Sequence, residues 1–220
     1  MSQFFSRKNF WIFDLDNTLY PASTRIFNMI DQRMKSFISM KLNISPEEAF
    51  TLQKDFYKNY GTTLSGLMKF YNVDPDQFLD YVHNIDFSKI KRSEKLRQSI
   101  NRLQGKKILY TNGDMKYAKK VLKAIGIDKS IPNIFDIKKA NFIPKPELIS
   151  YKKMIKEFEI DPEKAVFFED IEKNLEPAYK LGITTVHIDI EHDDKSNEKL
   201  KSFINFKFKY IESAITEILN

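Results

Sequence analysis

The residues equipped for chemistry begin with two carboxylates one residue apart, in Phe13-Asp14-Leu15-Asp16-Asn17-Thr18-Leu19-Tyr20-Pro21. They follow the apolar run Phe10-Trp11-Ile12-Phe13, which reads as a fully buried strand. On an extended chain this spacing sends Asp14 and Asp16 to one face. Two acids so placed repel each other, so a cation or a shared proton is expected beside them. Asn17 and Pro21 mark the exit from the strand. Three more polar sets follow apolar runs: Thr111-Asn112-Gly113, Lys145 between two prolines, and Glu169-Asp170. Oxygen donors gathered without His or Cys favour Mg²⁺ as the hard cation. A lone Lys among acids suits a dianionic phosphate. Thr111 and nearby backbone N–H groups are fit to hydrogen-bond phosphoryl oxygens.

The elements that must position these groups are written in the hydrophobic rhythm. From residue 93 a helix carries Leu96, Ile100 and Leu103 and ends at Gly105. Strands are expected at 107–110, 134–137, 165–168 and 184–188. Between them lie helices bearing Ala118, Val121, Leu122 and Ile125, stopped by Gly126, then Leu148, Tyr151, Ile155 and Phe158. A further helix ends at Gly182 and admits Pro177 only in its first turn. Residues 206–219 read as a short strand and a closing helix. Glu191, His192, Asp193, Asp194, Lys195 and Ser196 read as an exposed loop. Such alternation argues an α/β fold with a doubly wound parallel sheet, a Rossmann-like core. In such sheets ligands bind outside the carboxyl ends of the strands, so the four polar sets converge on one cleft.

Residues 22–84 break that rhythm and read as four helices with no strand between them. Phe27, Ile30, Met34, Phe37 and Ile38 share one face. Ser45-Pro46-Glu47-Glu48 is a helix start with a capping box, and Gly61 a stop. Leu64, Leu67, Met68 and Tyr71 are expected inward. Asp74-Pro75-Asp76-Gln77 repeats the start signal ahead of Phe78, Leu79 and Val82. The chain thus divides into a catalytic core, 1–20 and 93–220, and an inserted helical cap, 21–92.

The 220 residues, 42% hydrophobic, suffice for one large domain with an insert. The absence of Cys excludes disulfides, thiolate metal sites and thiol catalysis, and suits a reducing cytoplasm. No apolar stretch of about 18 residues points to a membrane, and residues 1–9 lack a signal-peptide core. The net charge of +6 is scattered among acids, which reads as a solvated surface attracting small anions rather than a nucleic-acid site. A monomer or homodimer is expected.

In these motifs the chain resembles the haloacid dehalogenase (HAD) superfamily, and among its branches the phosphatases, over nearly its whole length. Asp14, Asp16 and Thr18 match D-x-D-x-T; Thr111 matches the Ser or Thr ending a strand; Lys145-Pro146 matches the Lys before Pro; Glu169-Asp170, with Asn174 following, matches the acidic pair. Many relatives carry Asp-Asp there, so Glu169 departs slightly. The resemblance implies that Asp14 attacks phosphorus to form an aspartyl-phosphate, while Asp16 protonates the leaving alcohol and then deprotonates water. It implies Mg²⁺ held by the Asp14 carboxylate, the Asp16 backbone carbonyl, Asp170 and the phosphate, with Glu169 touching it directly or through water. Lys145 would orient Asp14, and Thr111, Asn112 and Lys145 would bind phosphate. Dehalogenases lack an acid at the position of Asp16.

Residues 11–21 and 142–146, with Tyr60-Gly61-Thr62-Thr63-Leu64 and Tyr81-Val82-His83-Asn84-Ile85-Asp86, look like the pyrimidine 5′-nucleotidase branch. Relatives usually carry Asp where Asn84 stands. That resemblance implies a nucleoside 5′-monophosphate substrate such as UMP or CMP. A sugar-phosphate phosphatase or a phosphoglucomutase-like enzyme on the same core is the alternative. His83 reads either as a hinge or pocket residue or as a packing histidine, and the cap tyrosines either as base-stacking groups or as core.

Overall fold

The computed structural model describes residues 2–191 and 200–220. Six strands form one parallel sheet: β1 (Phe10–Phe13), β2 (Lys106–Tyr110), β3 (Asn133–Phe135), β4 (Ala165–Glu169), β5 (Thr184–Ile188) and β6 (Phe206–Phe208). Their spatial order is β3-β2-β1-β4-β5-β6, and every neighbouring pair is parallel. The order reverses direction between β1 and β4, which marks a crevice at their carboxyl ends.

Both faces of the sheet are covered. Phe13, Leu109, Phe168 and Val186 belong to one core, packed with Ala118, Val121 and Leu122 of α7 (Met115–Ile125). Their sequence neighbours Ile12, Ile108 and Phe167 point the other way, into a second core with Tyr151 and Met154 of α8 (Leu148–Phe158) and Leu175 and Ala178 of α9 (Glu172–Lys180). Two dry faces explain why the strands read as apolar runs without alternation. Behind β1, Gly105 holds φ +94°, and a Cβ there would lie 2.1 Å from the Asn9 carbonyl oxygen. Only glycine admits that approach.

Four α-helices occupy the stretch after β1: α2 (Ile26–Leu42), α3 (Pro46–Tyr60), α4 (Thr63–Tyr71) and α5 (Pro75–Val82). Ser45 accepts from the Glu48 N–H and Glu48 returns a bond to the Ser45 N–H, the reciprocal capping box. Asp74 caps α5 by accepting from the Asp76 N–H. The chain returns through α6 (Glu94–Arg102), and α10 (Ile211–Leu219) closes the molecule.

Several expectations need correction. Phe27 and Tyr71 are 41% and 45% exposed rather than inward. Ile26 takes the buried place that the helical count gave to Phe27. Pro177 is the sixth residue of α9, not a first-turn residue. A first-turn place for the ring would need a later start, but the helix opens at Glu172 and buries Asn174 and Leu175 in its first turn. The carbonyl deprived of a partner belongs to Lys173, an exposed residue that water can serve. β3 stops at Phe135, two residues short of the expected end, because the Asp136 carboxylate accepts from the Met115 and Lys139 N–H groups and bends the chain away. A short helix not anticipated, α1 (Ser2–Phe5), packs Phe5 against Trp11 and Phe206. Of the expected exposed loop, Glu191 is exposed, and His192 to Ser196 lie outside the described residues.

Candidate active site

Phe13 pairs with Phe168 across β1 and β4, and the Asp14 N–H donates to the Phe168 carbonyl at 2.9 Å. Asp14 and Glu169 therefore leave the two strands side by side. Lys145 reaches between them from the loop ahead of α8. Its Nζ lies 2.6 Å from Asp14 Oδ1, 2.8 Å from Glu169 Oε2 and 3.0 Å from the Tyr110 carbonyl. The ammonium is 2% exposed and lies over the Tyr110 and Phe167 rings. Burial works against its charge, but Asp14 and Glu169 outweigh burial and raise its pKa.

Asn112 fixes the Lys145 backbone from both ends of its amide. Oδ1 accepts from the Lys145 N–H at 2.8 Å, and Nδ2 donates to the Lys145 carbonyl at 3.2 Å. The Thr111 hydroxyl, almost fully buried, accepts from the Gly113 N–H at 2.9 Å. Asn112 and Gly113 line the cleft. The structure thus brings Thr111 and Asn112 beside Lys145, with the Asn112 side chain already engaged in holding it.

One oxygen each of Asp14, Glu169 and Asp170 lie within 4.8 Å of one another. Burial, then repulsion from Glu169, lifts the Asp14 pKa, against the pull of Lys145. Burial, then Glu169 and Asp14, does the same to Asp170. Thr18 donates to Asp170 at 3.4 Å, and His187 Nε2 donates to the Asp170 carbonyl at 2.9 Å. One lysine faces three carboxylates, so positive charge is short. The buried Oδ1 of Asn174, without a hydrogen-bond partner among the described residues, borders the same cleft. A hard divalent cation such as Mg²⁺ fits this all-oxygen donor set and its charge deficit.

Asp16 stands apart from that acidic group. Its Oδ1 accepts from the Tyr20 hydroxyl at 2.5 Å and from the Tyr117 hydroxyl, and the two hydroxyls lie 3.2 Å apart. Burial raises the Asp16 pKa, and the Tyr117 and Tyr20 bonds oppose it. Tyr117 is in turn stacked under His83, the residue ending α5, at 4.2 Å between centroids and 14° between planes. His83 Nδ1 is 3.2 Å from Asp114 Oδ1, close but misaligned for a hydrogen bond. His83 thus both borders the cleft and packs, which joins the two readings the sequence left open.

A cavity of about 220 Å³ rises from these acids into the helical block. Its floor includes Asp14, Asp16, Lys145, Glu169 and Asp170. Its walls are Phe27, Ile30, Met34, Tyr57, Leu64 and Phe78. Gln53 also borders it and is 1% exposed. The residues that sequence reasoning passed over are Tyr117, Gln53 and Asp31. Each sits among apolar helical positions and reads there as ordinary amphipathic pattern. Tyr117 alone left a signal, being the third residue of a helix that opens directly after the Thr111 turn.

The family model described as "Haloacid dehalogenase-like hydrolase" matches residues 11–188. Phosphate metabolism protein 8 of Saccharomyces cerevisiae is 29% identical over 205 residues, covering 81% of this chain and 60% of that protein. The chain therefore spans about three fifths of the length of this yeast relative. The glyceraldehyde 3-phosphate phosphatase of Methanocaldococcus jannaschii is 28% identical over 211 residues, covering 87% of this chain and 92% of that one. Among solved structures, a HAD phosphatase from Thermococcus onnurineus superposes with a TM-score of 0.64 at 18% identity, covering 96% of this chain and 98% of that one. With the match running over residues 11–188, which include all four polar sets, the chain belongs to the haloacid dehalogenase-like hydrolase family.

Proposed function

We propose that the protein is a Mg²⁺-dependent phosphomonoesterase acting on nucleoside 5′-monophosphates, with residues 21–92 serving as the cap over a core of 1–20 and 93–220. The observation that carries this reading is a cavity with acids and a lysine at its floor and apolar walls above. The floor suits a phosphate, and the walls suit the flat base carried by a nucleoside leaving group, whose 5′-oxygen would lie at the floor. A small sugar phosphate would leave the apolar upper walls uncovered.

Asp14, held in one rotation by Lys145, attacks phosphorus. The bond from phosphorus to the leaving oxygen breaks, and Asp16 passes that oxygen a proton. Water then attacks phosphorus, Asp16 accepts its proton, the aspartyl-phosphate bond breaks, and Asp14 is restored beside inorganic phosphate. The Asp14 and Asp170 carboxylates and the Asp16 carbonyl would hold Mg²⁺, with Glu169 behind them on Lys145. When bound, the ion supplies positive charge that offsets the repulsion between carboxylate and phosphoryl group. Thr111 and Lys145 would meet phosphoryl oxygens.

A second reading, a sugar-phosphate phosphatase, is favoured by the archaeal relative named for glyceraldehyde 3-phosphate. Phosphate release from UMP, CMP, glucose phosphates and glyceraldehyde 3-phosphate, with Mg²⁺, separates the two. The expected order places UMP and CMP first. A sugar phosphate in first place establishes the second reading, and no release from any substrate removes both.

A further inference from the structure

Gln53 sits in α3 with its side chain buried among the cap helices, bordering the cavity. Its Nε2 donates to Asp31 Oδ1 at 2.7 Å. Lys54 Nζ donates to the same oxygen at 2.6 Å. A carboxylate only accepts, so the amide nitrogen must face Asp31 and the amide oxygen must face away from it. That oxygen, Oε1, is buried and has no hydrogen-bond partner among the described residues. Buried carbonyl oxygens in folded proteins are rarely left so, and those that are call for an explanation. Here the orphan belongs to a residue on a substrate-sized cavity whose walls are otherwise mostly apolar.

We infer that Gln53 is a specificity-determining residue whose Oε1 accepts a hydrogen bond from a neutral N–H on the leaving group, the kind that a pyrimidine's imide or exocyclic amine presents. The inference rests on the nucleoside monophosphate reading above and adds to it the residue that reads the base. Asp31 acts indirectly: it fixes which end of the amide is offered. Lys54 secures Asp31 from the solvent side, where its own side chain is 46% exposed. The arrangement selects for a donor and against an isosteric group without one, because an acceptor left unmet in the bound state has already lost its water.

The test compares UMP with its N3-methyl analogue, which keeps the ring and phosphate but lacks the N–H, with Mg²⁺ present. The quantity read is the ratio of kcat/KM for the two. The wild-type ratio is expected to be roughly tenfold, the scale of one buried hydrogen bond. Gln53→Met, which keeps length and removes the acceptor, should bring it close to one. Asp31→Asn provides a second arm: an amide at position 31 accepts either end of Gln53, so the ratio should fall part of the way. Melting temperatures report whether each variant is folded, and if Gln53→Met is not, the Asp31→Asn ratio decides. A ratio unchanged in the folded variants overturns the inference, as does a wild-type ratio near one. Failure of the wild-type protein to release phosphate from UMP at all, with p-nitrophenyl phosphate as the control ester, is instead a failure of the substrate reading.

Discussion

Two hydroxyls on one oxygen give Asp16 an asymmetry that its neighbours lack. Oδ1 receives both Tyr20 and Tyr117, so in the proposed mechanism the proton exchanged with a leaving group would have its place on Oδ2. Tyr117 touches only Asp16 among the groups assigned chemistry, so it is a positioning residue. Replacing it with Phe removes the hydroxyl and keeps the ring against His83. We expect kcat to fall about tenfold or more with an alkyl phosphate, whose leaving group needs the proton. With p-nitrophenyl phosphate, whose leaving group needs it little, the fall should be much smaller. Equal losses on both esters, read from steady-state kinetics, remove the positioning role. The place of Tyr117 beside the Thr111 turn left a signal, but its bond to Asp16 was not legible, because the two are 101 residues apart and only the fold joins them. That Asp14, Lys145 and Asp170 gather at one place was legible, since each ends or follows an apolar run.

At the scale of helices, α3 and α4 meet at Gly66. A Cβ on Gly66 would lie 2.2 Å from the Phe56 ring, which is itself buried and stacked on Phe70. The ring has little freedom to retreat. Gly66→Ala is expected to destabilise the protein by about 1–3 kcal/mol, read as a lower denaturant midpoint, with the loss confined to packing. An unchanged midpoint means the two helices can part without cost. α5 buries Phe78, Leu79 and Val82 on one side and is polar on another. Asp76, Asp80 and His83 fall on one face and meet Lys138, Lys116 and Asp114 of the core. The caps of α3 and α5 were readable because a cap is a local contract among four residues. The outward turn of Phe27 was not, because periodicity places a stripe only to within one residue, and Ile26 competed for the same buried place. Pro177 misled for a related reason: a ring's local penalty is fixed, but the packing of Leu175 and Ala178 on the sheet that overrides it is not local.

Over the whole molecule, the strand order sets Asp14 beside Glu169 and Asp170 in the middle of the sheet, and burial there makes their charge a liability for the metal-free fold. The Asp14 and Asp170 pKa values are raised above their ordinary value of 3.8 by burial and mutual repulsion. The folded state therefore holds more protons than the unfolded one above about pH 4, and stability falls as pH rises from there through the raised values. A divalent ion binds the deprotonated acids and competes with those protons. The melting temperature gained on adding Mg²⁺ over EDTA should thus be small near pH 5 and larger near pH 8. A gain independent of pH means the acids are not the site of binding. The parallel, doubly wound sheet was within reach of the sequence as alternation, and its strand order was not. The contact between Gln53 and Asp31 was not, since it depends on the mutual register of two helices that the hydrophobic pattern leaves free to slide.

Tyr117 lies between the His83 ring above and the Asp16 carboxylate beside it. A descendant that enlarges its chamber at the His83 end must repack that ring, and the ring cannot shift without disturbing the hydrogen bond to Asp16. If Asp16 carries the proton as proposed, breadth of substrate and pace of turnover are geared together at one phenol, and mutational drift toward promiscuity should arrive as slower enzymes first.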